Sequence, residues 1–386
     1  MALSTRAADV LSRIAAHNAG REPERLRMKY AKMASDPFIF LRGSCHLFYG
    51  DWPDRDALDE APLAWISGDL HLENFGSYRG ANRLVYFDIT DFDEAALAPA
   101  SWEVARCATS LLLAAADLRL DRTASERLVR AYLDAYAGAL NKGKALWVER
   151  ATATGMVRKL LRGLRKRRRG DFLAARVAAL FERLDRADGP ASRFFRPLDV
   201  ARRVAGIGSL GLQRYSVLME GKGPPDGYWL ADLKQAMPSA LVPALERRGI
   251  RQQSWAGEAK RVVSIQRRCQ AVPAALLQAV RFDGTSWILK ELQPTEDRLS
   301  FKPGKTAPRQ LGAAVDTFGQ VTAWAQLRGS GREGSAIADA LIAFGARRDW
   351  REAVLRHARG YAATVRQDWE AFRAAWLAGA SELGKR

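Results

Sequence analysis

Apolar residues recur at two spacings along the chain, and the change from one to the other divides it into three blocks. In the first block the spacing is three to four residues, which is typical of helices with one buried face. This spacing predicts helices at residues 5–16, 21–34, 101–118, 122–142 and 172–184, with a short strand at residues 84–88. The tripeptide Ser35-Asp36-Pro37 predicts a stop and a restart between two early elements.

The second block follows the proline-bounded segment at residues 190–197 and has the pattern of strands. Residues 212–219 (LQRYSVLM) and 227–234 (GYWLADLK) predict two strands that are joined by a turn rich in glycine and proline. Residues 258–271 predict a helix, and residues 280–294 predict a hairpin. The block is therefore mainly β, with one helix inside it.

Helical spacing returns in the third block, at residues 310–327 and 348–378. The chain of 386 residues exceeds the usual size of a single core, so we expect two lobes. Its three cysteines are too scattered for a disulfide framework or a zinc site. No run of 18 apolar residues predicts a membrane span, and the first 30 residues lack the apolar core of a signal peptide. We therefore expect a cytoplasmic protein.

The charge of the chain favours anionic partners. The net charge is +18 and the pI is near 10.2, so the surface attracts phosphates, nucleic acid or acidic lipid. Residues 158–169 (RKLLRGLRKRRR) combine many basic residues with leucines at helical spacing, which predicts a basic amphipathic helix. This helix is either a solvated surface or a nucleic-acid-binding site, although it lacks the aromatic residues that stack on single-stranded bases.

The most informative stretch is WISGDLHLENFGSYRGANRLVYFDITDFDEA, at residues 65–95. Asp69 and Asn74 are five residues apart within it. The same separation lies between the base and the metal-binding asparagine of a kinase catalytic loop. Such a loop places one carboxylate at the acceptor hydroxyl while an amide oxygen reaches Mg²⁺. The spacing therefore indicates chemistry on metal-bound phosphate.

Further acidic residues follow on the next predicted strand and beyond it. Asp91-Phe92-Asp93 stands where kinases carry the Asp-Phe-Gly that binds metal between the phosphates. The alternative is an acidic surface hairpin in which Asn74 and Asp91 only form turns. His71 as a zinc ligand is disfavoured, because no second histidine or cysteine lies nearby.

A glycine-rich segment, VAGIGSLG at residues 204–211, supplies the phosphate cradle that a kinase needs. A dinucleotide-binding fold would place a helix after the last glycine, but the pattern here predicts a strand, a turn and a second strand. The second strand ends at a lysine, as does the strand that neutralises nucleotide phosphates in kinases. The candidate nucleotide-binding residues are Gly206, Gly208, Ser209, Gly211 and Lys234.

The order of these motifs is reversed relative to ordinary kinases, in which the glycine segment precedes the catalytic loop. A circularly permuted kinase-like fold reconciles the order, because the termini of a domain often lie close together. We therefore predict a bilobal α+β protein. Residues 1–195 and 296–386 would form the helical catalytic lobe, and residues 196–295 would form a β-rich nucleotide-binding lobe inserted between them.

Five motifs in the same order resemble those of an uncharacterised bacterial family, domain of unknown function 2252. They are F-x-R-G at residues 40–43, G-D-x-H-x-x-N-F-G at 68–76, F-D-x-x-D-F-D-E at 87–94, G-x-G-S-x-G at 206–211 and R-V-V-x-x-Q-R within 261–268. The resemblance covers nearly the whole chain. The catalytic-loop segment is also similar to that of aminoglycoside and choline phosphotransferases, which place a histidine two residues after the catalytic aspartate.

This resemblance implies roles for the matching residues. Asp69 would be the catalytic base, with His71 beside it in the catalytic loop. Mg²⁺ would be held by Asn74 and Asp91, with Asp88 and Asp93 as further candidate ligands. The register of Ala95 and Glu103-Val104-Ala105 favours Asp91 over Asp88 as the main ligand. ATP would be held by the glycine segment and Lys234.

Two roles stay open from the sequence. Arg42 is either a contact for phosphate or an acidic substrate, or one half of an ion pair with an acidic residue of the hairpin. The residue that orients Lys234 is also undetermined, with Glu258, Glu246 and Gln266 as candidates in that order.

The sequence as a whole predicts a phosphotransferase that uses Mg-ATP and acts on the hydroxyl of a small molecule or a protein. Three alternatives remain. The chain could be a nucleotide-binding module without turnover, as in pseudokinases, or a nucleotidyltransferase that holds ATP in the reverse orientation. It could also be a basic protein that binds nucleic acid through residues 158–169.

Overall fold

A computed structural model describes residues 5–54, 56–164, 197–220, 227–282, 284–293 and 308–379, together with residues 299, 301 and 306. The helices are α1 (Thr5–His17), α2 (Pro23–Met33), α3 (Pro37–Gly43), α4 (Cys45–Gly50), α5 (Ala100–Asp117), α6 (Arg122–Asn141), α7 (Gly155–Leu164), α8 (Val242–Glu246), α9 (Glu258–Cys269), α10 (Pro308–Gly329), α11 (Ala338–Ala346) and α12 (Asp349–Ala378). The strands are β1 (Leu63–Ile66), β2 (Phe75–Arg79), β3 (Val85–Ile89), β4 (Ala96–Pro99), β5 (Val148–Glu149), β6 (Pro197–Arg202), β7 (Arg214–Glu220), β8 (Tyr228–Gln235), β9 (Gln278–Phe282) and β10 (Thr285–Glu291).

The largest sheet has five antiparallel strands in the order β6-β7-β8-β10-β9. The glycine segment connects β6 to β7, and α9 lies in the chain between β8 and β9. In β8 the register pairs Lys234 with Arg214 on one side and with Ile288 on the other. Lys234 therefore lies on a central strand of the sheet.

Two small sheets organise the acidic stretch. β2 pairs with β3 as a hairpin and β3 pairs with β5, while β1 pairs with β4. Between β1 and β2 the chain forms the loop that carries Asp69, and between β3 and β4 it forms the segment that carries Asp91. Both connections begin at the ends of buried strands, so the packing of these strands fixes where each connection starts.

Long helices surround these small sheets. α10 packs along α6, and α12 packs along α5. Gly319 of α10 makes the first contact close, because a Cβ atom there would collide with the backbone of Tyr132 in α6. One core of buried apolar residues runs through these helices and the small sheets. The five-stranded sheet adds a separate cluster of Val217, Met219 and Ala231.

Local signals explain where several helices begin. Asp36 accepts a hydrogen bond from the N–H of Ile39 at 2.8 Å, and Pro37 opens α3, which confirms the predicted restart. Asp121 caps α6 in the same way, through the N–H of Ala124 at 2.7 Å. Both caps satisfy N–H groups that lack a partner inside the helix.

Most predicted elements are confirmed, including the helices at the two ends of the chain and the hairpin of β9 and β10. The sequence patterns missed β6 and the pairing of β1 with β4. The basic stretch forms α7 as far as Leu164, and its remaining residues lie outside the described ranges, as does the helix predicted at residues 172–184. The architecture is mixed α+β. Within the described parts of the chain, no helix has the length and apolar character needed to cross a membrane.

Candidate functional site

A cavity of about 810 Å³ lies between the five-stranded sheet and the loops around β2 and β3. Its walls include all the sequence-predicted site residues except Asp88. These residues are Arg42, Asp69, His71, Asn74, Asp91, Asp93, Gly206, Gly208, Ser209, Gly211 and Lys234. Small-molecule sites typically measure roughly 300–1,000 Å³, so the size suits a ligand such as a nucleotide. The fold thus brings together motifs that are distant in the sequence.

The loop before Asp69 is held by contacts with α5 and with the segment after β3. Glu103 of α5 accepts hydrogen bonds from the N–H and the hydroxyl of Ser67, each at 2.9 Å. Gly68 has a φ of 85°, and a Cβ atom there would collide with the backbone of Glu94. The two acidic segments can therefore touch only because residue 68 is glycine.

Glu103 is almost completely buried, and this changes its ionisation. Burial raises its pKa to about 7, although hydrogen bonds from Gln326 and Ser67 oppose the rise. Nε2 of Gln326 donates to Glu103 at 2.8 Å. The helix-start pattern picked out Glu103 in the sequence, and the structure gives it an anchoring role behind the loop.

Asp69 is paired with Arg106 of α5, a residue that the sequence predictions missed. Nε of Arg106 donates to Oδ1 of Asp69 at 2.7 Å, and Nη2 donates to the same oxygen. Arg106 has no exposed surface. Burial raises the pKa of Asp69, whereas the charge of Arg106 opposes that rise. The other carboxylate oxygen, Oδ2, lies 4.0 Å from the point where a Cβ atom on Gly208 would stand.

A signal for Arg106 was present in the sequence. Within α5, Glu103 and Arg106 are the only charged residues before Asp117, and the others are apolar or small. A charge within an apolar helix must be paired when it is buried, because an isolated buried charge is costly. What the sequence could not supply was the identity of the partner.

Asn74 and Asp91 stand at the same end of the β2–β3 hairpin. Thr90 donates its N–H to the carbonyl of Asn74 at 2.9 Å, one position beyond the paired residues of the hairpin. The side-chain amide of Asn74 donates to the carbonyl of Asp69 at 2.6 Å. The charge of Asp91 is close enough to raise the pKa of Asp69. The three polar side chains therefore form one group at the mouth of the hairpin.

The oxygen atoms that this group offers as metal ligands suit Mg²⁺ better than zinc. Mg²⁺ takes one or two carboxylates together with waters and substrate phosphates, whereas zinc prefers several nitrogen or sulfur ligands. Within the described ranges, no cluster of three or more His, Cys, Asp or Glu residues could hold a metal ion. Asn74 and Asp91 are the residues that would hold Mg²⁺, with phosphate oxygens completing its shell.

Asp88, the other candidate ligand, lies apart from the cavity. Its carboxylate pairs with Arg328 of α10 at 3.3 Å and accepts hydrogen bonds from the N–H groups of Ile89 and Ala271. Asp88 is only 3% exposed. Burial raises its pKa, and the charge of Arg328 opposes that rise. These contacts hold Asp88 between β3, α10 and the segment after α9, away from the cavity.

Lys234 forms an ion pair with Asp93, two residues after Asp91. Asp93 was not among the partners of Lys234 that the sequence suggested. Glu258, the first of them, pairs instead with Arg261 on the same helix at 2.6 Å. Lys234 is therefore oriented by the acidic segment across the cavity, and it connects the sheet to that segment.

Other basic residues lie on the sheet side of the cavity. Nζ of Lys290 donates to the carbonyl of Thr90 at 3.1 Å. Arg203 and Arg214 pair with Asp232 at 3.0 Å and 2.5 Å. Burial favours the protonated form of Asp232, but these two arginines hold its pKa below the usual range. Arg203 and Arg214 share this single carboxylate, so the three residues together carry a net positive charge.

The glycine segment approaches the N-terminal helices. Gly206 and Gly211 have φ values of 75° and 90°, which favour glycine. The carbonyl of Gly208 accepts hydrogen bonds from Arg21 at 2.7 Å and from Lys29 at 3.1 Å. The connection between α1 and α2 therefore fixes the position of this segment over the cavity.

His71 lies in the loop that carries Asp69, and Arg42 lies beside it. Nδ1 of His71 accepts the N–H of Glu73 at 3.2 Å, which caps a short turn. Arg42 pairs with Glu73 at 2.6 Å, so the ion-pair interpretation from the sequence is what the structure displays. Arg42 also lines the cavity, and its Nε is buried without a hydrogen-bond partner. It therefore retains a donor for a ligand.

Comparison with known proteins places the chain in a family. A family model described as an uncharacterised protein conserved in bacteria (DUF2252) matches residues 21–191 and 174–375. The chain belongs to this family. No curated protein and no solved structure matches it significantly.

Proposed function

We propose that the protein binds Mg-ATP in this cavity and transfers a phosphoryl group to the hydroxyl of a small molecule or a protein. The observation that carries this proposal is the meeting of two separate motif sets in one space. The loop with Asp69 and Asn74 faces the glycine segment and Lys234, although Lys234 lies 141 positions beyond its partner Asp93. Chance motif matches would have no reason to share a cavity.

The connectivity of the five-stranded sheet supports a kinase-like, circularly permuted arrangement. In protein kinases the glycine loop covers the phosphates and the lysine lies on the third strand. Here the glycine segment joins the first two strands of the sheet, Lys234 lies on the third, and α9 follows before the last two. The catalytic residues precede this sheet in the chain, as a permuted order requires.

Each residue of the site has a role in this proposal. Oδ2 of Asp69 accepts the proton of the attacking hydroxyl, while Arg106 keeps the carboxylate in place through Oδ1. Asn74 and Asp91 would hold Mg²⁺, which neutralises charge on the phosphate oxygens when it is bound. Lys234 leaves Asp93 for the nucleotide phosphates, and the N–H groups of the glycine segment contact the same phosphates.

Nucleotide binding without transfer is the second candidate. The pairing of Lys234 with Asp93 favours it, because kinases orient this lysine with a glutamate of the following helix. In this protein Glu258 at the start of α9 is engaged by Arg261. A cavity that binds Mg-ATP but never consumes it would identify this second function.

The proposal is tested first by binding. Mg-ATP at a hundred times its dissociation constant should stabilise the folded protein by about 2.7 kcal/mol, and the melting temperature should rise. Asp91→Asn should lose the part of this rise that requires magnesium. Asp134→Asn, at an exposed position of α6, is the matched control and should respond like the unmutated protein. An unchanged melting temperature with millimolar Mg-ATP would contradict the proposal.

A further inference from the structure

The cavity has two differently built ends. The sheet end contains Lys234 and Lys290, and the charge of Asp91 acts on Lys290. The other end is formed by the N-terminal segment, where Arg21, Arg42 and His46 line the wall. Asp69 lies beside this second end, because its Oδ2 is 4.0 Å from the point where a Cβ atom on Gly208 would stand, and Arg21 donates to the carbonyl of Gly208. In a phosphotransferase the acceptor occupies the space beside the base, so the N-terminal end is where it would lie.

Two basic residues at this end share one neutral partner. Arg21 and Lys29 both donate to the carbonyl of Gly208. The other hydrogen bond of Lys29 goes to the side-chain oxygen of Asn18 at 2.8 Å, which is also neutral. Within the described ranges, neither Arg21 nor Lys29 forms an ion pair with a carboxylate. Lys29 has no exposed surface, and the charges of Glu94 and Asp69 act on it without a direct ion pair, so its burial is only partly compensated.

The electrostatics of Lys29 follow from these contacts. Burial lowers the pKa of Lys29 well below the usual value and the neighbouring charge of Arg21 lowers it further, although the charges of Glu94 and Asp69 oppose this. An anion placed beside Gly208 would oppose both effects, because it would attract the proton on Lys29 and the guanidinium of Arg21. It would thus add to the partial compensation that Glu94 and Asp69 give Lys29.

Unsatisfied donors around the same point indicate the kind of anion. Nε of Arg42 is a buried donor without a hydrogen-bond partner. Both ring nitrogens of His46 are also buried without a partner, and because burial lowers the pKa of His46 its neutral ring offers one N–H donor. The carbonyl of Arg42 lies 3.5 Å from the point where a Cβ atom on Gly208 would stand, so these groups surround the segment that Arg21 holds. Several donors from different directions suit a phosphate, which offers more acceptor oxygens than a carboxylate.

We propose that Arg21 and Arg42, with the charge of the buried Lys29 behind them, form a subsite for a phosphate group that the acceptor itself carries. The substrate class is then a phosphate monoester with a free hydroxyl. This inference rests on the proposed function, because it assumes that the nucleotide phosphates occupy the sheet end. It adds a charge requirement for the acceptor, which the kinase-like motifs leave undefined.

Inorganic phosphate is the probe for this subsite. Its binding is measured by calorimetric titration of the full chain, first without nucleotide and then with saturating Mg²⁺ and a non-hydrolysable ATP analogue. We expect phosphate to bind in both titrations with similar affinity, since the subsite and the nucleotide site are separate. Competition between phosphate and the analogue would overturn the proposal, because the anion would then occupy the site of the transferred phosphate.

Variants assign the binding to the N-terminal end. Arg21→Gln should weaken phosphate binding about tenfold or more, which is typical for the loss of a hydrogen bond to a charged group. Arg21→Lys should recover part of it, and this separates charge from any structural role of the arginine. Arg27→Gln, an exposed change on α2 outside the cavity wall, is the control. Phosphate affinity that is unchanged in Arg21→Gln, or that falls equally in Arg27→Gln, would overturn the assignment.

The outcomes also separate this inference from the proposed function. If the ATP analogue fails to bind, the proposed function fails, while the titration without nucleotide still measures the subsite. If the analogue binds and phosphate does not, the subsite fails and the nucleotide site stands.

Discussion

Asp69 and Asp88 lie in similar environments and yet differ in their access to the cavity. Each is a carboxylate that pairs with an arginine of a long helix, Arg106 for Asp69 and Arg328 for Asp88. Burial raises the pKa of both, and the arginine opposes the rise in both. Only Asp69 lines the cavity. A perturbed pKa and an ion pair therefore do not distinguish a carboxylate that lines the cavity from one that is buried elsewhere in the fold.

The difference also changes how variants should be read. Asparagine at position 69 keeps an oxygen acceptor but removes the counter-charge of Arg106, which has no exposed surface. Stability should fall, because one partner of a buried ion pair is left uncompensated. Loss of stability therefore accompanies loss of either carboxylate. Turnover must be expressed per folded molecule, and the matched comparison is Asp69→Asn against Asp88→Asn.

The largest expected effect is on turnover. Asp69→Asn should reduce ATP consumption per folded molecule about 10²–10⁴-fold, the usual contribution of general-base catalysis. Asp88→Asn should retain it within a few-fold. Both rates are measured with the folded fraction determined by circular dichroism in the same samples. Equal rates in the two variants would remove the catalytic role of Asp69.

The next effect is on stability and concerns Asp88. Asp88→Asn should lower the free energy of unfolding by about 3–5 kcal/mol, because Arg328 then lacks its buried partner. Urea denaturation measures this loss. A loss below about 1 kcal/mol would mean that water reaches the pair, and the structural interpretation of Asp88 would not stand.

A third carboxylate sharpens the comparison because hydrogen bonds, rather than an ion pair, hold it. Glu103 has a pKa of about 7 in the folded protein, above the ordinary value of 4.5. The folded state therefore holds this proton more tightly, and its contribution to stability is lost as the pH rises from about 4.5 to about 7. The change should be about 3 kcal/mol. Glu103→Gln should remove this dependence of the free energy of unfolding on pH, which denaturation at several pH values measures. The same pH dependence in the variant and the unmutated protein would contradict the raised pKa.

The smallest effect is expected at the surface. Arg122 pairs with Glu126 at 3.0 Å, but its side chain is 83% exposed. Arg122→Gln should change the free energy of unfolding by less than about 1 kcal/mol, since water and salt screen exposed pairs. Urea denaturation of Arg122→Gln and Asp88→Asn under the same conditions tests whether burial of an ion pair sets the loss of unfolding free energy. Losses of similar size in both variants would show that it does not.

Elements with a regular pattern could be predicted from the sequence, and elements defined by distant partners could not. α10 and α12 have helical spacing along their length, and β7 and β8 have the composition of strands. β4 reads ALAP, which carries no strand signal, and it forms because β1 lies beside it. Short strands depend on their neighbours more than on their own residues.

The same division applies to the site. Motif spacing selected Asp69, Asn74 and Asp91 as candidates, and the structure brings all three to one cavity. The partners of the charged residues were missed when they lay far away in the sequence, as with Arg106 for Asp69 and Asp93 for Lys234. The packing of α5 and of the five-stranded sheet decides which charged residues form pairs, and the local sequence does not indicate these pairs.

The residue at position 68 indicates whether the two acidic segments can lie together in other members of the family. A side chain at this position would push the loop with Asp69 away from the segment with Asp91, since Glu94 occupies the space. Loss of this glycine would leave both acidic motifs intact in the sequence while separating them in space. A family member with another residue here would thus keep the motif letters without the arrangement, and genome surveys could use this single letter to separate members that keep the arrangement from members that lack it.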